Sequence, residues 1–234
     1  MLSYGAPRSP TVCGFLESCC SERFLPGQAR LRSACSCTRI EVKCGGRLYE
    51  VDDPIRSIYT VLSGTFKTCT TIKNCDEQVM GFYMRGAILG LDAMATGRHC
   101  TSAVAIEDSA VCYVLAEDLG QHCVQDENVR ERVQAAMVRE IGTRQRMIFT
   151  LAQKTAMERV TSFLIEHAAA YVALGYAFSD LRLAMNRGDI GSYLGLTEGT
   201  VSRMFSLLHE RRLLAVKRKH VRILDFPGLK QLSG

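Results

Sequence analysis

Cysteine is the residue type in this chain whose number and spacing most directly indicate chemistry. The 234-residue sequence holds 11 cysteines, an odd number that cannot pair completely in disulfides. Six of them lie within the first 44 residues, namely Cys13, Cys19, Cys20, Cys35, Cys37 and Cys44. In a reducing compartment such clustering favours metal binding or thiol redox chemistry over structural disulfides.

A second stretch, from Arg187 to Arg203, has the pattern of a helical corner. Apolar residues recur at helical spacing, Gly195 permits a left-handed turn, and Thr197 can cap the helix that follows. The predicted inward stripe of that second helix is Val201, Phe205 and Leu208. Its predicted outward face is Gly199, Ser202, Arg203 and Ser206.

An outward face of small residues with one arginine suits entry into a DNA major groove. Arginine can bond guanine with two hydrogen bonds, and serine can reach either base of a pair. Spacing alone leaves open an ordinary helical hairpin with a solvated face.

Charge is unevenly distributed along the chain. Residues 145–234 hold 13 Lys and Arg against 7 Asp and Glu, whereas the remainder holds 16 against 17. The C-terminal part therefore suits a polyanionic partner. No apolar run approaches the roughly 20 residues that span a bilayer, and the N-terminus lacks the pattern of a secretory signal. We expect a cytoplasmic protein without membrane association.

The predicted secondary structure that positions these residues changes from strands to helices along the chain. Residues 38–115 show short runs at about ten-residue intervals, separated by turn residues, which is typical of a small β-barrel or sandwich. The predicted strands are Arg39–Lys43, Arg47–Val51, Ile58–Leu62, Thr65–Thr70, Gln78–Tyr83, Ser102–Ile106 and Ala110–Leu115. From Glu127 the period becomes helical for about 30 residues, longer than a typical globular helix.

The long helix carries the seam of a coiled coil, which predicts pairing with a second copy of the chain. The seam residues follow 4-3-4-3 spacing and are Met137, Ile141, Arg144, Ile148 and Leu151. Arg144 is the exception in this seam. In a parallel pair it would face its mate, where like charges cost stability, unless its side chain reaches solvent.

A second helix is predicted at about Ala156 to Leu174, and the helical corner is followed by a two-stranded wing. The predicted wing strands are Ala215–Val216 and Val221–Leu224. Lys217 and Lys219 lie at the basic tip between them, which beside a groove-reading helix is expected to contact phosphate. A solvated tip is the alternative.

The order of elements along the chain, a barrel followed by a long helix and a winged helix-turn-helix, resembles that of the CRP/FNR transcription regulators. Three motifs resemble the FNR branch in particular: Ser57–Lys67, Asp76–Phe82 and Met185–Thr197. The resemblance implies an α+β fold with an N-terminal β-roll, a long dimerisation helix and a C-terminal winged helix-turn-helix. The expected bounds are 1–37 for a cysteine-rich segment, 38–125 for the sensory β-roll, 126–154 for the dimerisation helix and 155–234 for the DNA-binding domain.

Family members that sense cyclic nucleotides carry a Gly-Glu-Leu turn and an Arg-Ser/Thr pair that binds the cyclic phosphate. The corresponding places here resemble Leu89-Gly90-Leu91 and Cys100-Thr101-Ser102, which lack both the carboxylate and the guanidinium. Arg98 is near but out of register. We therefore expect no cyclic nucleotide ligand.

The FNR branch holds a [4Fe-4S] cluster through three N-terminal cysteines and one distant cysteine. By this resemblance the distant ligand is Cys112, and Cys13 and Cys19 keep the five-residue gap of the last two N-terminal ligands. The first ligand position falls on Pro10, whereas such a cluster normally takes four thiolates. Cys20 is the first candidate for the missing ligand. Cys35 and Cys37 are alternatives, and loss of the cluster is another.

The resemblance also implies a mechanism. With the cluster intact, the helix pairs and presents two recognition helices about one DNA turn apart, and oxygen or nitric oxide dismantles the cluster and releases the dimer. Arg144 takes the place of an acidic residue whose self-repulsion is held to keep the apo protein monomeric. Two arginines repel each other as two carboxylates do, so repulsion at this position can still keep the apo protein monomeric.

FNR-like members place a base-reading glutamate where this chain has Gly199, and Glu198 lies one residue earlier. Ser202 and Arg203 are retained, so we expect a palindrome of half-sites resembling TTGAT, altered at the base that the glutamate reads. The expected DNA contacts are Arg187, Glu198, Gly199, Thr200, Ser202, Arg203, Lys217 and Lys219. By the same resemblance, Lys73, Asp76 and Glu77 are expected to contact RNA polymerase; a solvated turn is the alternative.

The leading hypothesis is a homodimeric, redox-responsive transcription regulator of the FNR type. A cluster-free regulator, constitutively active or switched by cysteine oxidation, is the alternative within the family. An iron–sulfur electron carrier would not need a groove-reading helix. The five histidines are scattered and no catalytic triad or phosphate-cradling loop stands out, so we expect no enzyme.

Overall fold

The structure, a computed structural model, describes residues 38–71 and 77–234. Its strands are β1 (Thr38–Val42), β2 (Arg47–Tyr49), β3 (Ser57–Ser63), β4 (Phe66–Thr71), β5 (Glu77–Tyr83), β6 (Ile88–Leu89), β7 (Ser102–Ala105), β8 (Ser109–Leu115), β9 (Asp180–Arg182), β10 (Leu214–Lys217) and β11 (His220–Ile223). Its helices are α1 (Ala116–Gln125), α2 (Glu127–Gln153), α3 (Ala156–Ala173), α4 (Arg187–Leu194), α5 (Glu198–Glu210) and α6 (Phe226–Gln231).

The chain forms two compact units. Among the described residues, the first comprises 38–70 and 81–138, and the second comprises 71, 77–80 and 139–234. Residues 127–138 of α2 thus belong to the first unit and the rest of that helix to the second. No helix of the described residues is both long enough and apolar enough to cross a membrane.

The first unit is a β-roll of two four-stranded sheets. Their strand orders are β1-β8-β3-β6 and β2-β7-β4-β5, and the pairs with a defined register are antiparallel. Side chains from both sheets share one apolar core between them. The buried members are Val42, Leu48, Tyr49, Tyr59, Val61, Phe66, Leu89, Ala103, Ala105 and Val111.

The opposite face of β3 and β8 packs against α1 and the start of α2. This second apolar cluster consists of Ile58, Cys112, Val114, Leu119, Val129 and Val133. Cys112 and Val114 are two residues apart on β8 and therefore share a face, whereas Val111 belongs to the core between the sheets. The cluster joins the strand that carries Cys112 to the first half of the long helix.

The second unit is a winged helix-turn-helix. The capping box of Thr155 and Glu158 starts α3. The apolar stripe of α3, namely Val160, Phe163, Leu164 and Ala168, is buried. Helices α4 and α5 form the corner, and the three-stranded sheet β10-β11-β9 forms the wing.

Every predicted strand of the β-roll is present, with ends that differ by up to two residues. The α+β fold class is confirmed. Two elements were not predicted from the sequence: β6, which has two residues, and α1, which ends at Gln125 just before the long helix. The sequence also predicts a two-stranded wing, whereas β9 adds a third strand through pairing of Leu181 with Val221.

Candidate nucleic-acid interface and cysteine site

The corner between α4 and α5 is built by caps and by two glycines. Asn186 and Asp189 form a capping box at the start of α4, and Thr197 caps α5 by accepting from the amide of Thr200. Gly195 ends α4 with φ of 63°. A Cβ on Gly191 would lie 2.6 Å from the carbonyl oxygen of Leu196, so only glycine allows this close approach of helix and turn.

The two faces of α5 are divided as the sequence predicts. Val201, Phe205 and Leu208 are buried, and Val201 and Leu208 have no exposed surface. The outward residues Gly199, Ser202, Arg203 and Ser206 are all exposed. A helix anchored along one side thus presents its small, polar side to solvent, as groove entry requires.

Arg203 lies along the surface of its own helix. Its Nε donates to the carbonyl oxygen of Gly199 at 3.3 Å, and one terminal nitrogen lies 3.2 Å from the hydroxyl of Thr200. Glu198 is exposed in the first turn, and its Oε2 lies 3.5 Å from the position that a Cβ on Gly188 would take. The carboxylate is therefore directed toward the start of α4.

Arg187 is held at the edge of this surface by an aromatic ring. Its guanidinium carbon lies 3.4 Å from the centre of the Phe205 ring. Burial lowers the pKa of Arg187 to about 10, so the side chain remains charged at neutral pH. The pair borders a cavity of about 360 Å³. The cavity is lined by Arg187, Ser202, Phe205, Ser206, His209, Glu210 and Val216.

The two lysines of the wing differ in their surroundings. Lys217 is exposed at the end of β10. Lys219 is also exposed, but its ammonium donates to the carbonyl oxygen of Ala184 at 3.0 Å. Between them Arg218 has φ of 56°, which makes the turn between β10 and β11 tight. Lys217 is thus the wing lysine better placed to meet a phosphate.

The predicted seam on α2 includes exposed apolar side chains. Ile141 and Ile148 are 57% and 67% exposed, Leu151 is 38% exposed, and Met137 is half-buried. Val138 and Phe149, beside the seam, are also exposed. Large apolar residues exposed along one helix mark an interaction surface.

Arg144 is bound within its own chain. A terminal nitrogen lies 2.5 Å from Oε1 of Glu140, one turn earlier, and the guanidinium also donates to the carbonyl oxygen of Met80. The sequence is compatible with an arginine that faces its mate or reaches solvent, and its local pattern does not reveal these partners. Glu140 compensates the charge of Arg144 at its place in the seam.

Cys112 is the only predicted cluster ligand among the described residues, since Cys13, Cys19 and Cys20 lie outside them. Its side chain is 1% exposed in the apolar cluster with Val129 and Val133. Within 38–71 and 77–234, no group of three His, Cys, Asp or Glu side chains could hold a metal ion.

Sequence reasoning missed two residues near these sites. Cys123 on α1 packs against the apolar cluster of Cys112, and burial raises the pKa of its thiol. Ser192 on α4 binds the start of β5: its hydroxyl donates to the carbonyl oxygen of Glu77 at 3.0 Å and accepts from the amide of Val79 at 2.8 Å. Lys73 and Asp76, expected with Glu77 at polymerase, lie outside the described residues.

Two family models match this chain, one in the β-roll and one in the winged helix-turn-helix. A family model described as a Crp-like helix-turn-helix domain matches residues 158–232, and one described as a cyclic nucleotide-binding domain matches residues 39–126. The transcriptional regulatory protein btr of Bordetella pertussis is 38% identical over 196 residues, which cover 84% of this chain and 81% of that protein. The chain belongs to the CRP/FNR family of transcription regulators.

Two further comparisons indicate which branch of the CRP/FNR family the chain resembles. The fumarate and nitrate reduction regulatory protein of Escherichia coli is 36% identical over 193 residues, covering 82% of this chain and 77% of that protein. The structure of FixK2 from Bradyrhizobium japonicum superposes with a TM-score of 0.79 at 28% identity, covering 85% of this chain and 98% of that one. This CRP/FNR chain is thus a DNA-binding regulator that resembles the FNR branch.

Proposed function

We propose that this CRP/FNR regulator acts as a homodimer that reads a palindromic DNA site and responds to oxygen or nitric oxide through an iron–sulfur cluster. The observation that carries the proposal is the apolar cluster that Cys112 shares with Val129 and Val133 of α2. It links the one described cysteine that matches a sensory ligand to the helix that carries the dimer seam.

The proposal assigns a role to each segment of the chain. Residues 1–37 supply cluster thiolates, 38–125 form the sensory β-roll, 126–154 form the dimerisation helix and 155–234 bind DNA. Exposure of Ile141 and Ile148 supports the dimer, because a seam of this kind is buried only by a second copy. The paired α5 helices then meet half-sites about one DNA turn apart.

In the DNA-bound state, Ser202 and Arg203 are the base readers and Arg187 and Lys217 are phosphate contacts. Exposure of the outward face of α5 and the position of Arg187 above Phe205 support these roles. The half-site resembles TTGAT, but Gly199 offers no acceptor to the base that a glutamate would read. Thr200, Glu198 and Lys219 complete the proposed contact surface.

Cys112 fits an iron–sulfur ligand in donor type and in surroundings, because it is a thiol shielded from water by apolar side chains. The proposed ligand set is Cys13, Cys19, Cys20 and Cys112. When bound, the cluster would supply a metal–thiolate assembly that oxygen or nitric oxide can break. The chain itself contributes the packing of Cys112 against α2. Through this contact, a change at the thiol alters the packing of Val129 and Val133.

Anaerobic purification with iron and sulfide analysis tests the sensory part of the proposal. We expect about four of each per chain in the wild type and a large loss in Cys112→Ala. The matched control is Cys69→Ala, since Cys69 is also a buried cysteine on a strand of the β-roll. Cys20→Ala, Cys35→Ala and Cys37→Ala then test the fourth ligand. Equal iron in Cys112→Ala and Cys69→Ala would refute the ligand assignment.

A cluster-free regulator is the second candidate, favoured by Pro10 at the place of the first family ligand. It would be constitutively active, or switched by thiol oxidation. In that case the protein binds DNA without iron, and treatment with a thiol oxidant changes binding in the wild type but not in a variant without the N-terminal cysteines. Iron-free protein that dimerises and binds specific DNA after anaerobic purification would establish this alternative.

We also propose that Lys73, Asp76 and Glu77 contact RNA polymerase. A charge-reversal variant of Lys73 should bind DNA as the wild type does but lose transcription activation in a purified system. Equal transcription by the two proteins would exclude Lys73 from the contact.

A further inference from the structure

Several hydrogen-bond donors in the β-roll converge on one carboxylate, that of Asp92, in the turn after β6. Its Oδ2 accepts from the backbone amide of Cys100 at 3.0 Å and lies 3.3 Å from the hydroxyl of Thr101. The thiol of Cys100 lies 3.4 Å from the same oxygen. The other oxygen, Oδ1, lies 3.3 Å from Nδ1 of His99. Both carboxylate oxygens are thus engaged.

The imidazole of this donor set is held in place by burial and stacking. The His99 side chain is 2% exposed, and its ring stacks on Tyr49 with centroids 3.7 Å apart. Burial and then the charge of Asp92 raise the pKa of Tyr49 well above its usual value. Burial alone would raise the pKa of Asp92, but hydrogen bonds from His99 and Cys100 outweigh it and lower that pKa. The carboxylate is therefore charged at neutral pH.

An amide, a hydroxyl and an imidazole that surround one carboxylate form the kind of donor set that binds the oxygens of a phosphate. This set lies in the β-roll, which matches the cyclic nucleotide-binding domain. The neighbouring Arg98 takes no part, because its guanidinium is exposed and donates to the carbonyl oxygen of Asp52 at 2.5 Å. We propose that the Asp92 carboxylate occupies the anion-binding position of this β-roll and thereby excludes phosphate-bearing ligands.

The exclusion follows from the charges and from the hydrogen bonds. An entering phosphate must either displace Asp92, which leaves the carboxylate without its donors, or lie against it, which brings two negative charges into contact. A cyclic nucleotide is rejected on the same ground. Asp92 is therefore a specificity-determining residue: its own carboxylate fills the position that a ligand phosphate would take. This holds whether or not the chain binds an iron–sulfur cluster.

Removing the carboxylate should turn the position into an anion site. We would follow thermal unfolding of the full-length wild type, Asp92→Ala and Asp108→Ala in increasing inorganic phosphate, with chloride holding the ionic strength constant. Asp92→Ala should unfold earlier without phosphate, and its midpoint should rise by about 5 °C more than that of the wild type between 1 and 100 mM phosphate. Cyclic AMP should not shift the wild-type midpoint.

Asp108→Ala is the matched control, since Asp108 also accepts from the amide of a cysteine, Cys44, and from Lys43, but on the exposed surface. The DNA-binding surface is common to all three proteins, so its own response to phosphate cancels in the comparison. Equal phosphate responses of Asp92→Ala and Asp108→Ala would overturn the proposal.

A second measurement covers the case in which Asp92→Ala does not fold. The histidine ring resonances of the wild type are recorded by NMR during titration with cyclic AMP and with inorganic phosphate. The His99 signals should stay unchanged, because Asp92 already occupies the position beside that ring. A saturable shift of the His99 signals with either ligand would show that the position is open and that the proposal is wrong.

Discussion

The guanidinium of Arg187, at the start of α4, lies 3.4 Å from the centre of the Phe205 ring on α5. This pair joins the two helices of the corner, because Phe205 is buried on the inward stripe while Arg187 reaches the edge of the outward surface. Stacking on the ring limits the conformations open to the long side chain, so its charge is presented at a fixed place.

Replacing Arg187 with glutamine should weaken DNA binding by a similar factor on every sequence, because a phosphate contact carries no base information. Because a homodimer carries two copies of Arg187, the slope of log affinity against log salt should fall by about 2. Arg203→Gln should instead relax the preference for one base pair of the half-site. Fluorescence anisotropy over a range of salt concentrations measures both effects.

The control for charge removal is Arg39→Gln in the β-roll, which should leave the salt slope unchanged. Unchanged affinity in Arg187→Gln would mean that the arginine stabilises the corner only. A loss confined to one base position would make it a base reader.

Arg144→Leu should produce dimers in protein without a cluster. The substitution removes a charge from the seam and leaves apolar neighbours, Ile141 and Ile148, that favour pairing. It also removes the ion pair with Glu140, whose Oε1 lies 2.5 Å from Arg144, so the gain is smaller than for an unpaired charge. Sedimentation of the iron-free protein measures the oligomeric state.

Arg139→Leu is the control, since Arg139 is exposed on the same helix outside the seam. If iron-free Arg144→Leu sediments as a monomer, like Arg139→Leu, then Arg144 does not set the oligomeric state.

Ser192→Ala should loosen the start of β5. The hydroxyl of Ser192 bonds the carbonyl oxygen of Glu77 and the amide of Val79, and the side chain of Gln78 donates to the carbonyl oxygen of Ser192. Loss of the hydroxyl should cost about 1 kcal/mol and leave the Val79 amide unprotected. Hydrogen exchange should therefore be faster at residues 77–80. Ser206→Ala, on the exposed face of α5, should leave that exchange unchanged.

Helical and strand periodicity account for what the sequence predicted. The stripe of Val201, Phe205 and Leu208 follows from a period of 3.6, and the strands of the β-roll follow from alternation and turn residues. Caps were also predictable, since Thr197 and Gly195 act through their nearest neighbours in the chain.

The contacts that escaped prediction join residues far apart in sequence or lie in very short elements. Ser192 meets Val79 across 113 positions, and Arg144 meets Met80 across 64. Strand β9 has three residues, of which only Leu181 is buried, so it carries too little pattern to detect. No local propensity encodes such pairings, because they arise only when the elements pack.

His167 on α3 should make the stability of the winged domain depend on pH. Burial lowers its pKa to about 4 from an ordinary value of 6.5, and among the described residues its Nε2 has no hydrogen-bond partner. The folded state thus holds the ring neutral while the unfolded state binds a proton below pH 6.5. The stabilisation is complete above pH 6.5 and is lost as the pH falls toward 4, by at most about 3 kcal/mol.

Urea unfolding at pH 7 and pH 4.5 measures this loss. The comparison protein is His167→Gln, whose side chain does not titrate. The wild type should lose more stability than His167→Gln between the two values, whereas equal losses would assign the acid sensitivity to other groups.

Gly199→Glu should restore the preference for one base of the half-site, which we propose that the wild type lacks. A Cβ at Gly199 would meet nothing within 4 Å, so the side chain can be added without rearranging α5. Its carboxylate can accept from the amino group of cytosine, which gives about 1–3 kcal/mol of discrimination at one position of each half-site. Binding-site selection from a random library should return a single base at that position for Gly199→Glu and a mixture or a different base for the wild type.

The controls separate the carboxylate from the effect of replacing glycine in a helix. Gly199→Ala gains the same helical propensity, about 1 kcal/mol, without an acceptor, and should keep the wild-type preference. Gly199→Gln carries both a donor and an acceptor and should favour adenine instead. If Gly199→Ala and Gly199→Glu select the same sites, position 199 does not face a base. The outward face of α5 would then meet the groove through Ser202 and Arg203 alone.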